Sequence, residues 1–104
     1  ETAAQGAARE TWEETRAKVR IVAPYRVYDL PFVNQVYMMF RAQMLEPDFQ
    51  TTLESAEVHL MQEEDVPWGE IAFPVIEETL KSFFQDRKAG RFEFLNLELK
   101  AQPV

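Results

Sequence analysis

The stretch Glu1–Ala17, ETAAQGAARETWEETRA, decides how the rest of the chain is read. It has no proline, and Thr2 followed by Gln5 is a capping-box pattern in which hydroxyl and amide serve the first free backbone donors of a helix. The spacing predicts a helix over residues 2–16. On it, Glu10, Glu13 and Glu14 fall at i, i+3 and i+4, so three carboxylates share one face. Glu10 and Glu14 repel each other by a few tenths of a kcal/mol when exposed. Folding does not ask for that arrangement, whereas a hard divalent cation does, because Mg²⁺ takes several oxygen donors alongside water and substrate phosphate. Arg9 can pair with Glu13 one turn on, or reach back to Glu1 ahead of the helix, and so hold a carboxylate in place. The competing reading is a solvated acidic face. Gly6 costs about 1 kcal/mol relative to alanine in a helix, which suggests close packing against a neighbouring backbone.

Bulk composition narrows the function classes. The chain has 104 residues, enough for one domain at most. With 46% hydrophobic and 12% aromatic residues it can bury a core. Eighteen acidic against eleven basic residues give a net charge of −7, which argues against nucleic acid or an anionic membrane as the main partner. No cysteine is present, so disulfides and thiolate metal sites are excluded within the segment. No apolar run approaches the ~20 residues that span a bilayer, and the acidic N-terminal stretch reads as neither signal nor transit peptide. A cytoplasmic location is the expectation.

Downstream, Lys18–Tyr28 (KVRIVAPYRVY) reads as a strand interrupted at Pro24. Residues 33–44 (VNQVYMMFRAQM) read as a second strand, with Tyr37–Phe40 buried on both faces. A loop with Pro47 and Asp48 follows, then a short strand, Glu57–Met61, and an acidic turn at Gln62–Asp65. Residues 73–88 form the clearest helix: Ile76, Leu80, Phe83 and Phe84 make one apolar face, Pro74 suits the first turn, and Gly90 caps the end. Residues 91–99 alternate as a strand, and the shift between Phe94 and Leu95 suggests a bulge. The order of elements is that of an α+β or α/β chain with a mixed sheet.

The full spacing, Glu1, seven residues, Arg9-Glu10-x-x-Glu13-Glu14, resembles the signature of the Nudix hydrolase family, with five charged positions agreeing in identity and interval. Thr11 takes an aliphatic position of that signature, and Arg16 stands where it has a glycine. The signature's leading glycine would fall six positions before Glu1, so the resemblance implies that the chain is the C-terminal part of one Nudix domain, with strands and a glycine-rich turn preceding it. The fold implied is an α/β/α sandwich with a mixed sheet. Glu10, Glu13 and Glu14 would be ligands for Mg²⁺ or Mn²⁺, and Arg9 with Glu1 the pair that orients them. The chemistry implied is hydrolysis of a diphosphate linked to a nucleoside, with a further glutamate as base. Glu54 and Glu57 are the candidates for base or extra ligand, against solvated loop acids. A homodimer is the family expectation.

Within the family, RETWEE (9–14), VAPYRVYDLPFVNQVY (22–37) and ESAEVHLMQEEDVPWGEIAF (54–73) look like the plant chloroplast enzymes that cleave FAD and ADP-ribose. Bacterial relatives that carry a zinc ribbon upstream are also similar. This resemblance runs over most of residues 1–95, and it implies a nucleotide-sugar or dinucleotide substrate of the FAD, ADP-ribose or NADH class. Asp29 and Gln35 could line the cleft. Tyr25, Tyr28, Phe32 and Trp68 could stack on an adenine or flavin ring, against packing in the core. His59, the single histidine, reads as a packed or solvent-facing strand residue, and Trp12 as packed on the sheet. The alternative to an enzyme is a nucleotide-binding or regulatory module, although such modules often lose motif acids and all five charged positions stand here.

Overall fold

A computed structural model describes residues 1–46 and 60–101. Helix α1 runs Ala3–Thr15. Strand β1 runs Val19–Leu30, β2 Gln35–Met44, helix α2 Pro74–Ala89 and strand β3 Leu95–Glu98, with single 3₁₀ turns at Pro31–Val33, Glu63–Asp65 and Trp68–Glu70. The three strands form one sheet in the order β2-β1-β3. Only the turn at Pro31–Val33 and Asn34, in the left-handed region at φ 54°, separate β1 from β2, too short a link for anything but a reversal of direction. β3 pairs with β1 in parallel, with Arg26 opposite Leu95 and Asp29 opposite Glu98, so the sheet is mixed and the chain is α+β.

The chain divides into two compact units, one of Glu1–Ala23 with Phe40–Leu60 and one of Pro24–Met39 with Met61–Val104. In the first, α1 ends at Thr15 and the chain leaves it through Ala17, which is buried. The opening of β1 then alternates, with Val19, Ile21 and Ala23 half-buried and Arg20, Val22 and Pro24 exposed. Lys18 O accepts from Leu45 N at 2.9 Å, and the Arg20 guanidinium donates to the Gln43 amide, fixing the register there.

In the second unit the core is Tyr28, Leu30 and Val75, with Met39, Leu97 and Leu99 packed against it. Tyr28 is fully buried, and its hydroxyl lies 3.0 Å from Thr79 Oγ1, which also donates to Val75 O. That contact turns Thr79 inward. Val75 and Phe84 are the buried residues of α2, Leu80 and Phe83 are half-buried, and of the expected Ile76–Leu80–Phe83–Phe84 stripe Ile76 alone is exposed. Pro74 begins the helix, and Gly90 ends it at φ 75° with its N–H on the Arg87 and Asp86 carbonyls.

Beside this core stands a second constraint. The Arg26 guanidinium is buried, donates from Nη1 to the Tyr25 and Glu93 carbonyls, and faces Asp86 Oδ2 at 3.8 Å. Tyr25 OH donates to the same Asp86 oxygen at 2.6 Å, and the Tyr25 ring meets Phe83 and Phe92 edge-on. Asp86 sits near the C-terminal end of α2, where the helix dipole disfavours an anion. The buried cation answers that cost.

Four further expectations are corrected. β1 runs unbroken through Pro24, and β3 pairs with it only at Arg26–Asp29. Of Tyr37–Phe40, expected to be buried on both faces, Tyr37 and Met38 are exposed and Met39 and Phe40 half-buried. The shift at Phe94–Leu95 marks the start of β3, not a bulge; Glu93 O is taken by Arg26 and Arg91 N by Asp86 O, so the residues before Leu95 serve the turn. Leu60 and Met61 are not in a strand, and Glu57, His59 and the Pro47–Asp48 loop lie outside the described residues.

Two outcomes test this unit. Asp86→Ala strands the Arg26 charge and should cost about 3 kcal/mol in denaturant unfolding. Burial first, and then the hydrogen bond to Asp86, raise the Tyr25 hydroxyl above the ordinary tyrosine value. The stability this gives is fully present below pH ~10 and is lost as pH rises through the raised value. Tyrosinate absorbance should therefore show a component titrating above pH ~10 that Tyr25→Phe removes.

Candidate active site

Helix α1 forms as its sequence requires. Thr2 is the N-cap in extended conformation, its hydroxyl accepting from Gln5 N at 3.1 Å while the Gln5 amide accepts from Thr2 N at 2.8 Å. This capping box sets the start of the helix, and thereby the angle at which every later side chain leaves it. Thr11 and Thr15 donate back to the carbonyls of Ala7 and Thr11, and Thr15 Oγ1 also accepts from Ala17 N beyond the helix.

Arg9 occupies the centre of the charged face. Its Nη2 lies 2.7 Å from Glu1 Oε1 and its Nε 3.1 Å from Glu1 Oε2, while Nη1 reaches Glu13 Oε1 at 3.0 Å and Oε2 at 3.1 Å. Both pairings open to Arg9 from the sequence are thus made at once, by different edges of one planar fork. Glu10 lies farther away, 3.8 Å from Nη2, with two-thirds of its side chain exposed. The group is solvent-facing, so its value lies in orientation rather than stability. Hydrogen bonds from Arg9 hold the Glu1 carboxyl below the usual glutamate value, and the two carboxylates hold the Arg9 guanidinium above its own.

Gly6 lies beside this carboxylate. A Cβ there would meet Glu1 Oε1 at 3.4 Å, so the near neighbour is a carboxylate and not the backbone expected from the sequence. Trp12, expected to pack on the sheet, is 43% exposed and carries the Arg16 guanidinium over its ring at 4.0 Å. Arg16 itself ends the helix in the left-handed region at φ 58°, its N–H donating to Trp12 O. The stack was not read from the sequence; the signal was an arginine standing in a glycine's place four residues after a tryptophan.

The structure brings Glu1, Arg9 and Glu13 into contact and sets Glu10 beside them. Among the described residues, no three acidic or imidazole side chains converge as they would around an ion. The donor chemistry still fits a hard cation, because Glu10 and Glu14 are exposed carboxylates one turn apart and such ions keep several waters. Glu54 and Glu57 lie outside the described residues. In the second unit, Tyr25 and Tyr28 are buried and cannot offer a ring face to a base, while Trp68 meets Phe84 edge-on and Phe32 is exposed. Asp29 is half-buried on β1, and Gln35 opens β2 with its amide accepting from Tyr37 OH. No helix among the described residues is long and apolar enough to cross a membrane.

The chain matches no family model and no curated protein sequence. Among solved structures it matches the crystal structure of a NUDIX hydrolase from Nitrosomonas europaea, with a TM-score of 0.92 and 46% identity. The match takes in 97% of this chain and 57% of that one, so the chain spans little more than half of its neighbour's length.

Two measurements probe the cluster. Gly6→Ala should stabilise the chain by up to about 1 kcal/mol, because the added Cβ makes only an ordinary contact with Glu1 while the helix gains propensity. In a carboxyl-carbon NMR titration, Glu1 should titrate below the usual glutamate range and return to it in Arg9→Met. What the pairing contributes is present above that range and is lost as pH falls through the lowered value.

Proposed function

Because the chain belongs to the Nudix family, we propose that it is the carboxylate-bearing part of a hydrolase acting on a nucleoside diphosphate linked to a second moiety. The observation that carries the reading is the Arg9 fork, which holds Glu1 and Glu13 at fixed angles on a helix that also presents Glu10 and Glu14. A folded chain has no need to gather four carboxylates in fourteen residues, and a polyanionic substrate would be repelled by them unless cations intervened. Glu10, Glu13 and Glu14 would hold Mg²⁺ or Mn²⁺. Bound there, such an ion supplies charge neutralisation at the phosphate oxygens and lowers the pKa of a coordinated water.

The chain's own residues do the rest. Arg9 fixes the rotamer of Glu13, and Glu1 in turn fixes Arg9, so the donor is oriented before substrate arrives. Glu10 and Glu14 remain open to solvent, from which the diphosphate would enter. Glu54 or Glu57 would serve as the base that removes a proton from the attacking water. The reading extends to FAD, ADP-ribose or NADH as substrate class, with a nucleoside monophosphate and a second phosphate ester, such as FMN from FAD, as products. A homodimer in a cytoplasmic setting completes it.

A hydrolysis panel of FAD, ADP-ribose, NADH and dinucleoside polyphosphates, run on the intact protein with Mg²⁺ and with Mn²⁺, tests this. Nucleoside monophosphate should appear from at least one substrate and stop on chelation. Glu13→Gln or Glu14→Gln should lower kcat by about a hundredfold or more with the fold unchanged by circular dichroism. Undiminished turnover in the presence of chelator would rule the proposal out.

A further inference from the structure

The last turn of α1 is electrostatically badly placed. Glu13 and Glu14 lie there with no basic residue among them, at the end where the helix dipole is negative. Glu10 adds like charge one turn earlier. The chain also leaves the helix through Arg16 at φ 58°, ψ 15°, a left-handed conformation that a residue with a Cβ adopts only at a cost. Each of these effects favours unwinding the turn that presents the two glutamates.

The Arg9–Glu13 pair and the bond from Thr15 Oγ1 to Thr11 O oppose it from within the helix, and three contacts oppose it at the exit. Arg16 N–H donates to Trp12 O at 2.7 Å, closing the turn. Thr15 Oγ1 accepts from Ala17 N at 3.0 Å, and Ala17 is buried, anchoring the exit. The Arg16 guanidinium lies 4.0 Å from the centre of the Trp12 ring, which returns a cation to the negative end of the helix. A glycine would enter the left-handed region freely but bring no charge and no stack.

We propose that the Arg16–Trp12 stack is a latch that keeps the last turn of α1 wound and so positions Glu13 and Glu14. Arg16 and Trp12 are positioning residues in this scheme, acting through the backbone of the turn. The role assigned to the two glutamates rests on the hydrolase reading above, whereas the latch itself rests on the geometry of residues 12–17.

Amide hydrogen exchange and metal dependence together test it in the intact protein. In Arg16→Gln, the position-16 amide should exchange about five- to tenfold faster, matching the loss of an exposed cation–π contact and a dipole partner. The half-saturating Mg²⁺ concentration for turnover should rise by about the same factor, with kcat at saturating metal within about twofold, since the donors remain. Arg16→Lys should fall between, because an ammonium stacks less well than a guanidinium. Trp12→Leu should match Arg16→Gln, and the double variant should be no worse than either single one. Unchanged exchange at position 16 in Arg16→Gln would overturn the latch, as would additive effects in the double variant. If the unaltered protein hydrolyses nothing, the exchange data still decide the latch, and the hydrolase reading alone fails.

Discussion

Four carboxylates within fourteen residues repel one another, and a single guanidinium holds two of them. Arg9 can do this because its fork offers separate edges, Nε with Nη2 to Glu1 and Nη1 to Glu13. A lysine would present one point charge and would have to choose. The grip depends on the helix beginning at Thr2, since Glu1 must lie outside the first turn for its side chain to fold back over Gly6. The local fold of α1 and the arrangement of its charges are therefore one problem with one solution.

The second unit solves a different electrostatic problem by burial. Arg26 is enclosed where a leucine would be ordinary, with two carbonyls on its Nη1 and Asp86 facing its Nη2, and the Tyr25 hydroxyl holds that same Asp86. Such an arrangement costs desolvation and returns specificity of packing, because the fork can be satisfied in few geometries. It ties β1 to the end of α2 and to the residues leading into β3, while Tyr28 and Thr79 tie β1 to the middle of the same helix.

Features set by neighbours in sequence were legible. The capping box at Thr2 and Gln5, the left-handed cap at Gly90, the extent of α2 and the shared face of Glu10, Glu13 and Glu14 all follow from spacings within a turn or two. The partners open to Arg9 were also readable, although only the structure shows that it takes both. Tertiary partners were not legible. Pro24 looked like a break, and β1 runs through it. On α2 the stripe held except at Ile76, while the meeting of Thr79 with the Tyr28 hydroxyl is a polar contact absent from any apolar periodicity. Tyr25 and Tyr28 could be read as ring platforms or as core, and contacts fifty or more residues away make them core.

The parallel pairing of β1 with β3 has a consequence for how the chain assembles. Arg26 and Leu95 are about 70 residues apart in sequence, and a parallel partner is reached only by a crossover, so closing that loop spends entropy before any ladder bond returns it. Helix α1, whose hydrogen bonds and charge pairs all lie within nine residues, needs no such closure. The part of the chain that carries the carboxylates can thus take shape early, while the four-residue β3 is the last and most easily lost strand of the sheet.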